Sequence, residues 1–402
     1  MKNFSFKVLK KSKKSKARLG ILKTPHGEIK TPAFVVVGTK GTVKSLAPED
    51  LDEVGTQMIF VNTYHTVLSP GVDIIEKAGG IHKFCRIKQP IITDSGGFQV
   101  FSLARRSFNE GGTGDLKRRV RFLQSEDKSI APLVKITDDG VEFRSPVDGR
   151  KFFFTPEFSI EAQKKIGSDL MVVFDECTYY GASYKYAKKA MERTHQWAIR
   201  GLKASKIKEK QGLYGVVQGG MFKDLRKESA KFISSLPFFG LAIGGVSVGE
   251  TKKEMREQVS WAMNVIGEDE RSRHLLGVGE IDDVFDAVKI GIDTMDCVIP
   301  TRHARMGKLY KYEISNIKNQ KYISKIKNIE EINIMKNLYK EDLNQIDKCC
   351  QCYTCCNFTR AYLHHLFKQR ELLGYHLATI HNLFFFERLF ENLRSLIEND
   401  QF

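Results

Sequence analysis

Eight short apolar runs constrain the fold of this chain more than any other feature of its sequence. Each run is a few residues long and ends at a glycine-rich or polar tip. The runs are Ala33–Val37, Met58–Val61, Pro90–Thr93, Leu170–Phe174, Leu213–Val217, Gly240–Ile243, His274–Leu276 and Thr294–Val298. Runs of this length are typical of buried parallel strands.

Helical segments separate several of these runs. Thr155, Pro156 and Glu157 open one with an N-cap, a proline in the first turn and an acidic side chain near the helix start. The other predicted helices are Tyr184–Lys210, Phe222–Ser235, Lys252–Ile266, Ile281–Ile290 and a last one near Leu383–Glu398. Repeated strand–loop–helix units predict an α/β fold, a (β/α)8 TIM barrel with its chemistry at the carboxyl ends of the strands. A doubly wound open sheet is the alternative, but no GxGxxG follows the first strand.

Composition limits the class of protein. The chain has 402 residues, 42% of them hydrophobic, which suits one large domain with an appendage or two domains. Its formal charge of +16 favours a polyanionic partner, although a merely basic cytosolic protein is the alternative. No apolar run reaches about 18 residues, and the basic N-terminal segment lacks the apolar centre of a signal peptide. We therefore expect no membrane contact, a cytoplasmic location and reduced thiols.

The cysteines cluster near the C-terminus. Five of the eight lie within Cys349–Cys356. In a reducing compartment this clustering favours a metal site over disulfides, with a redox function of the CYTC segment as the alternative.

Two aspartates stand where predicted strands end. Asp94 opens the segment DSGGF, in which Gly96 and Gly97 leave room for a flat ligand and Phe98 offers a ring to stack on it. Asp296 lies in the last apolar run. An Asx-type turn and a strand-end cap are the alternatives without chemistry.

Two arginines follow Asp296. Pro300 is expected to stop the strand, because it has no N–H to donate to a neighbouring strand. Arg302 and Arg305 are then expected in an exposed loop, placed to hold phosphates or base edges. Solvated arginines without a ligand are the alternative.

Seven segments in order resemble one known family. They are TDSGGFQVFSL, FDECT, VVQGG, AIGGVSVGE, LLGVGEIDD, MDCVIPTRHAR and CQCYTC with TIHN, and they cover nearly the whole chain. Together they resemble the bacterial tRNA-guanine transglycosylases (queuine tRNA-ribosyltransferases). In places the chain departs from the family pattern, as at Val246 and Ser247, where Leu and Ala are frequent.

The resemblance implies a base-exchange reaction on tRNA. Asp296 would attack ribose C1′, and Asp94 would handle the protons, following the logic of retaining glycosidases. Guanine at the wobble position of tRNAs with a GUN anticodon (Asp, Asn, His and Tyr acceptors) would be replaced by 7-aminomethyl-7-deazaguanine, a precursor of queuosine. The alternatives are a queuine-using salvage enzyme, a hydrolase and a non-catalytic tRNA-binding homologue.

The resemblance also assigns binding residues. Asp175 would accept from the amino and ring N–H groups of the base, while Gln218 and the backbone N–H groups near Gly245 would bind its carbonyl oxygen. The full base-binding set is Asp94, Ser95, Gly96, Gly97, Phe98, Asp175, Gln218, Gly244, Gly245 and Val246. Expected contacts with tRNA are Gly277, Val278, Gly279, Glu280, Ile281, Asp282 and Asp283, together with Thr301, Arg302, His303, Ala304 and Arg305. N-terminal lysines would add phosphate contacts, or else be merely solvated.

A structural zinc site completes the implied picture. Cys350, Cys352, Cys355 and His381 match the family's CxCxxC…H ligands for one Zn2+ per chain, with His364 and His365 as rivals for the fourth place. The expected domains are a catalytic barrel over residues 1–305, a zinc-binding subdomain over 306–380 and the last barrel helix over 381–402. Residues 105–129 are expected to be extra length without an assigned role, and family members form homodimers.

Two further cysteines, Cys177 and Cys297, each lie close behind a functional aspartate. They are interpreted as small buried packing residues rather than nucleophiles. Strand alternation is expected to point Cys297 away from the pocket.

Overall fold

The computed structural model of the protein describes residues 4–99, 134–145, 148–205, 211–312 and 329–402. The segment predicted to be an insertion, 105–129, lies outside these ranges. Within them the strands, in chain order, are β1 (Ser5–Lys11), β2 (Arg18–Thr24), β3 (Gly27–Thr31), β4 (Ala33–Val37), β5 (Ile59–Val61), β6 (Ile91–Thr93), β7 (Val134–Ile136), β8 (Val141–Arg144), β9 (Lys151–Phe154), β10 (Leu170–Val172), β11 (Gly212–Val217), β12 (Gly240–Ile243), β13 (Ser272–Leu275), β14 (Thr294–Cys297), β15 (Lys308–Tyr312) and β16 (Ile329–Asn333).

The helices within the same ranges are α1 (Pro48–Val54), α2 (Thr63–Leu68), α3 (Val72–Lys77), α4 (Ile81–Cys85), α5 (Pro156–Ile166), α6 (Tyr184–Ser205), α7 (Lys223–Ser235), α8 (Lys252–Ile266), α9 (Ile281–Lys289), α10 (Ile299–Arg305), α11 (Tyr353–Asn357), α12 (Arg360–Gln369) and α13 (Leu372–Glu398). A 3-10 turn covers Asn337–Tyr339. None of the helices in the described residues is both long enough and apolar enough to span a membrane.

Eight strands close a parallel barrel in the order β10-β11-β12-β13-β14-β4-β5-β6. Every one of the eight predicted apolar runs overlaps one of these strands, with ends that differ by no more than two residues. The strands are nearly all buried, as expected for a parallel sheet covered on both faces. The predicted (β/α)8 barrel is confirmed, and the open-sheet alternative is wrong.

Most helix predictions are confirmed as well. Thr155 caps α5 by accepting a hydrogen bond from the Phe158 N–H at 3.1 Å, and Pro156 occupies the first turn. Helix α6 is described as far as Ser205, and the rest of its predicted range lies outside the described residues. The largest difference is at α13, which begins at Leu372 rather than near Leu383, while α7 and α9 differ from their predicted ranges by one residue at one end. His381 therefore lies inside α13, and the predicted boundary at residue 381 falls within a continuous helix. The proposed domain limits otherwise stay a prediction.

By their internal contacts the residues form two compact units. The first comprises chiefly Val61–Phe84 and Ile91–Leu276. It contains an antiparallel sheet, β7-β8-β9, and an aromatic core that includes Phe154, Phe174 and Trp197. The Trp197 indole N–H donates to the Asp138 carbonyl at 2.7 Å, so the ring is both packed and hydrogen-bonded.

The second unit comprises chiefly Ser5–Phe60 and Gly277–Phe402. Here Arg18 of β2 forms a buried bidentate ion pair with Asp293, whose two oxygens lie 2.8 and 2.6 Å from the guanidinium nitrogens. Asp293 immediately precedes β14, so this pair fixes the start of that strand. Helix α13 packs Phe386 against Phe34 of β4, with ring centroids 5.0 Å apart.

Candidate functional site

Asp94 follows β6, and protein donors surround its carboxylate. Oδ1 accepts from the Thr63 N–H at 2.8 Å and from the Gly96 N–H at 3.1 Å, and Oδ2 accepts from the Asn62 side-chain amide. Asn62 also caps α2, because its Oδ1 accepts from the His65 N–H at 3.0 Å. Two neighbouring elements therefore fix the orientation of the Asp94 carboxylate.

The glycines after Asp94 permit a close approach of the protein to itself. Gly96 has φ +80°, and a Cβ on Gly97 would lie 2.6 Å from the Asp175 carbonyl oxygen. Any side chain at Gly97 would push the two turns apart. Phe98 is 51% exposed, so its ring is available to a ligand.

Asp175 follows β10 and is buried. Its Oδ1 accepts from the Ser95 hydroxyl at 3.0 Å, and its Oδ2 accepts from the Gln218 amide at 2.7 Å. Burial raises the pKa of Asp175 to about 6, although the hydrogen bonds from Gln218 and Ser95 oppose the shift. The structure thus joins three of the predicted base-binding residues in one hydrogen-bonded group.

Gln218 brings the turn after β12 into the same group. Its Oε1 is buried and lacks a hydrogen-bond partner within the described ranges. A Cβ on Gly245 would lie 2.1 Å from that oxygen, and Gly245 has φ +62°, so glycine is required there. Gly244 is also crowded, since a Cβ there would lie 2.8 Å from the Val216 side chain. Val246, the last predicted member, is buried.

The turn that carries Asp175 is anchored to α6. Glu176 is fully buried, accepts from the Tyr186 hydroxyl at 2.7 Å and pairs with Arg193. Its backbone N–H donates to the Thr194 hydroxyl at 3.0 Å. These contacts hold the backbone on which Asp175 stands.

Asp296 lies within β14, opposite Val35 of β4, and is 7% exposed. Its Oδ1 accepts from the Gly277 N–H at 3.0 Å. The neighbouring Cys297 is buried, and burial raises the pKa of its thiol to about 12, so it is no nucleophile at neutral pH. Cys177, in contrast, is only half-buried.

The segment after Asp296 is a helix, so the prediction of an exposed loop for Arg302 and Arg305 is wrong. Strand β14 ends at Cys297, and Pro300 lies in the first turn of α10. An N–H at this position would have no partner within the helix, so proline costs no hydrogen bond there. Arg302 is exposed, and Arg305 is half-buried with one nitrogen 2.7 Å from the Thr301 carbonyl.

The other three residues of Thr301–Arg305 face inward. Thr301 and Ala304 are buried. The His303 Nδ1 lies 2.9 Å from the Tyr310 hydroxyl and 2.9 Å from a Glu331 oxygen, and burial lowers the pKa of His303. Arg302 and Arg305 are therefore the side chains through which α10 would contact a ligand.

Two lysines that sequence reasoning missed join these arginines. Burial lowers the pKa of Lys44, and the positive charges of Arg305, Lys40 and Arg302 lower it further. Arg302 likewise lowers the pKa of Arg305, after the effect of burial. We call Lys40, Lys44, Arg302 and Arg305 the cationic cluster.

The segment Gly277–Asp283 combines a turn with a helix start. Gly279 packs against Cys297, because a Cβ at Gly279 would lie 2.4 Å from the Cys297 Cβ. Val278 is buried, Glu280 precedes α9, and Ile281, Asp282 and Asp283 form its first turn. The oxygens of Glu280, Asp282 and Asp283 lie within 4.8 Å of one another, so this segment is acidic.

Three cysteines and one histidine converge near the C-terminus. The His381 Nδ1 lies 3.7 Å from the Cys350 sulfur, 3.5 Å from that of Cys352 and 3.3 Å from that of Cys355. The His381 Nε2 is 2.6 Å from the Tyr310 carbonyl, which accepts its proton and leaves Nδ1 free as a ligand. This group could hold a metal ion.

His364, a rival for the fourth ligand, is placed elsewhere. Its Nδ1 lies 2.8 Å from the Ile334 carbonyl. The choice of His381 agrees with this geometry.

Comparison with known proteins identifies the family of the chain. A sequence model of the queuine tRNA-ribosyltransferase family matches residues 12–402. The queuine tRNA-ribosyltransferases of Thermoanaerobacter pseudethanolicus and Caldanaerobacter subterraneus subsp. tengcongensis are 47% and 46% identical, over 100% of this chain and 95% of theirs. That of Protochlamydia amoebophila is 45% identical, over 100% of this chain and 97% of its own.

The chain belongs to the queuine tRNA-ribosyltransferase family. The predicted enzyme class, a tRNA-guanine transglycosylase, is confirmed.

For a queuine tRNA-ribosyltransferase, the residues that sequence reasoning missed are mainly supporting ones. Asn62 and Thr63 hold Asp94, and Lys44 joins the arginines of α10. Arg226, fully buried on α7, holds the turns beside Gln218. None of these residues lies in a recognisable sequence motif, although Lys44 follows the polar tip of a predicted strand.

Proposed function

We propose that this protein exchanges guanine at the wobble position of GUN-anticodon tRNAs, those for Asp, Asn, His and Tyr, for a 7-deazaguanine base. The observation that carries the proposal is the buried group of Asp175, Gln218 and Gly245. Asp175 offers carboxylate oxygens to the ring N–H and amino donors of a guanine-like edge, and the Gln218 amide and nearby backbone N–H groups suit its carbonyl oxygen. Such a pocket rejects bases without these groups, because its own buried polar atoms would be left unpaired.

Asp296 is proposed as the nucleophile. One of its oxygens bonds to ribose C1′ as the C1′–N9 bond breaks, and the electron pair of that bond leaves with guanine. The incoming base then loses its N9 proton and attacks C1′, which releases Asp296. Asp94 is proposed to carry these protons, and its hydrogen bonds to Thr63 and Asn62 hold the carboxylate still.

The cationic cluster is proposed to bind tRNA. Arg302 is exposed and beside other positive charges, which suits phosphates or the edge of a guanine. The segment Gly277–Asp283 is acidic, so its contacts with tRNA would go to base amino groups or to ribose rather than to phosphates. The target nucleotide must leave its stack to reach the base pocket.

Cys350, Cys352, Cys355 and His381 are proposed to hold one structural Zn2+. Three thiolates and one imidazole form a closed tetrahedral set, which leaves no open position for substrate. A zinc ion bound there would supply folding free energy to the C-terminal helices and no reaction chemistry.

The preferred incoming base is proposed to be 7-aminomethyl-7-deazaguanine rather than queuine. Val248 follows Val246 and Ser247 in the turn after β12 and is half-buried, so it fills volume that the cyclopentene-diol of queuine would need. The Val246 carbonyl suits the ammonium group of the smaller base. Because the proposed substrate is tRNA, the enzyme is proposed to act in the cytoplasm, and its assembly as a homodimer is proposed from the family.

The decisive experiment combines Asp296→Asn with a guanine washout assay. We expect the parent enzyme to release radiolabelled guanine from tRNA when the aminomethyl base is added and to form a covalent adduct on a denaturing gel. Asp296→Asn should bind tRNA but form neither adduct nor product. An adduct that persists in the variant would refute the nucleophile, and abasic tRNA without an incorporated base would identify a hydrolase.

A further inference from the structure

Arg226 of α7 is the most unusual buried charge near the base pocket. Its side chain is fully buried, and no carboxylate forms an ion pair with it among the described residues. Its guanidinium instead donates to five oxygens: Gly220 at 2.8 Å, Gly244 at 2.6 Å, Gly245 at 2.6 Å, the Gln258 side chain at 3.0 Å and Val217 at 3.4 Å. Four of these are backbone carbonyls, one at the end of β11 and three in the turns after β11 and β12.

An unpaired buried cation is costly, so packing alone does not explain Arg226. Burial lowers the pKa of its guanidinium to about 10, which still leaves it charged at neutral pH. An apolar side chain of similar volume would fill the space without that desolvation. Its contacts must therefore supply something that an apolar residue cannot.

The two shortest of these bonds go to peptide groups of the base pocket. The Gly244 carbonyl shares a peptide unit with the Gly245 N–H, and the Gly245 carbonyl shares one with the Val246 N–H. Neither N–H donates a backbone hydrogen bond within the part of the chain that the structure describes. A charge-assisted bond at a carbonyl polarises its peptide unit and strengthens donation by the N–H on the other side.

We propose that Arg226 is a positioning residue that fixes and polarises the Gly245 and Val246 amides as donors to the 6-oxygen of guanine. This inference rests on the proposed function, because it assigns those amides to the carbonyl oxygen of the base. The same donors stabilise the negative charge that moves from N9 towards that oxygen as the C1′–N9 bond breaks. Arg226 thus acts through two peptide units and without touching the base.

The geometry demands arginine. One planar guanidinium reaches Gly220 through Nε, Gly244 through one Nη and Gly245 through the other. The point charge of a lysine cannot span three divergent carbonyls. A Cβ at Gly245 would lie 3.3 Å from an Arg226 nitrogen, so a side chain at this position would crowd the guanidinium.

The test compares two bases in four proteins. Guanine and 2-aminopurine, which lacks the 6-oxygen and also the N1–H that Asp175 would accept, are titrated into the parent enzyme, Arg226→Lys, Gln258→Glu and Arg273→Lys. The lost Asp175 contact is common to all four proteins, so a change in preference between them reports on the 6-oxygen. Arg273 is the matched control, since it is buried in the same unit and donates to the Gly267 and Asp269 carbonyls at 2.8 and 2.6 Å. Gln258→Glu keeps Arg226 in place but puts a carboxylate beside it, so it neutralises the charge even if Arg226→Lys does not fold.

We expect the preference for guanine over 2-aminopurine to fall about tenfold in Arg226→Lys, several-fold in Gln258→Glu, and not in Arg273→Lys. Exchange kinetics should show kcat falling more than KM for tRNA rises. Equal losses for both bases, or an unchanged preference in Gln258→Glu, would overturn the inference and leave Arg226 a packing residue. A parent enzyme that releases no guanine from tRNA would instead overturn the proposed function itself.

Discussion

At the scale of single residues, the protonation of Asp175 is set by two opposing effects. Burial favours the neutral acid, while hydrogen bonds from Gln218 and Ser95 favour the carboxylate, and the resulting pKa is about 6. Only the ionised form accepts from both a ring N–H and an amino group of the base. Base recognition is therefore sensitive to pH in a range where most other carboxylates stay ionised.

We expect the affinity for free guanine to be constant above about pH 7 and to fall about tenfold per pH unit well below pH 6, because one proton must leave Asp175 on binding. Titration calorimetry between pH 4.5 and 8 measures this. Ser95→Ala removes a hydrogen bond that lowers the pKa of Asp175, so its inflection should move to higher pH. An inflection that stays in place in Ser95→Ala would assign the titration to another group.

Unfolding does not account for that loss of affinity. The pKa of Asp175 is higher in the folded protein than the value of about 4 in an unfolded chain, so between about pH 4 and 6 the folded state binds more protons. Through this group the free protein becomes more stable as the pH falls through that window, and less stable as it rises. Thermal melts across the same pH range provide the check.

Sequence reasoning predicted which side chains react, a prediction still to be tested, but it did not predict the residues that hold them. Asp94 stood out because it begins a glycine-rich tip, whereas Asn62, its partner, lies 32 residues earlier in an ordinary stretch. Arg226 is 19 residues from Gly245, and nothing in its helical segment distinguishes it from a surface arginine. Such partners become visible only once the barrel places the strand ends together.

At the scale of elements, short buried strands were easier to predict than the start of α10. An apolar run with a polar tip has one interpretation in a barrel, so the eight strand positions agree with the structure. Pro300 has two possible interpretations, because proline both interrupts strands and occupies the first turn of helices. The second applies here, and it places Arg302 and Arg305 on a helix one turn apart.

We expect Arg302→Ala and Arg305→Ala each to weaken tRNA binding, by about 1–3 kcal/mol where the contact is bidentate to a base edge. The affinity for free guanine should stay the same, since neither side chain belongs to the Asp175 group. Arg388→Ala is the control, because Arg388 is an exposed helical arginine on α13. A filter-binding assay measures the affinity of each variant for tRNA. Parental affinity in both α10 variants would mean that these arginines are merely solvated and do not contact tRNA.

The metal site depends on α13. His381 lies within this helix, and its Nε2–H faces the Tyr310 carbonyl of β15, so helix and strand together orient Nδ1 towards the three sulfurs.

We expect His381→Ala to lose most of its bound zinc and to expose residues near Cys350–Cys355 to hydrogen exchange, because structural zinc binding is coupled to folding. His364→Ala should keep the metal, since His364 faces the Ile334 carbonyl. Metal analysis, together with hydrogen exchange measured by mass spectrometry, compares the two variants. Full zinc content in His381→Ala would return the fourth ligand to His364 or His365.

At the scale of the whole molecule, the formal charge of +16 was the first indication of a polyanionic partner, but charge alone does not say where that partner binds. The structure distinguishes two basic regions. Lys10 and Lys13 in the N-terminal segment lie 3.1 and 3.6 Å from Asp400, so part of their charge is already neutralised. In the cationic cluster, by contrast, the charges of Arg302 and Arg305 lower the pKa of Lys44, and no carboxylate among the described residues offsets this effect.

This difference predicts how salt acts on tRNA binding. Each phosphate contact releases counterions, so the logarithm of affinity falls with the logarithm of salt concentration with a slope of about −0.7 to −0.9 per contact. Removing two true contacts should make the slope less steep by about 1.4 to 1.8 units. We therefore expect Lys44→Ala combined with Arg302→Ala to flatten the slope by about that much. Lys7→Ala combined with Lys14→Ala removes the same charge from exposed N-terminal positions and should leave the slope unchanged. Binding of free guanine, measured in parallel, should not depend on salt in any of these proteins. Equal flattening by both pairs would show that tRNA responds to the total charge of the protein rather than to the cationic cluster.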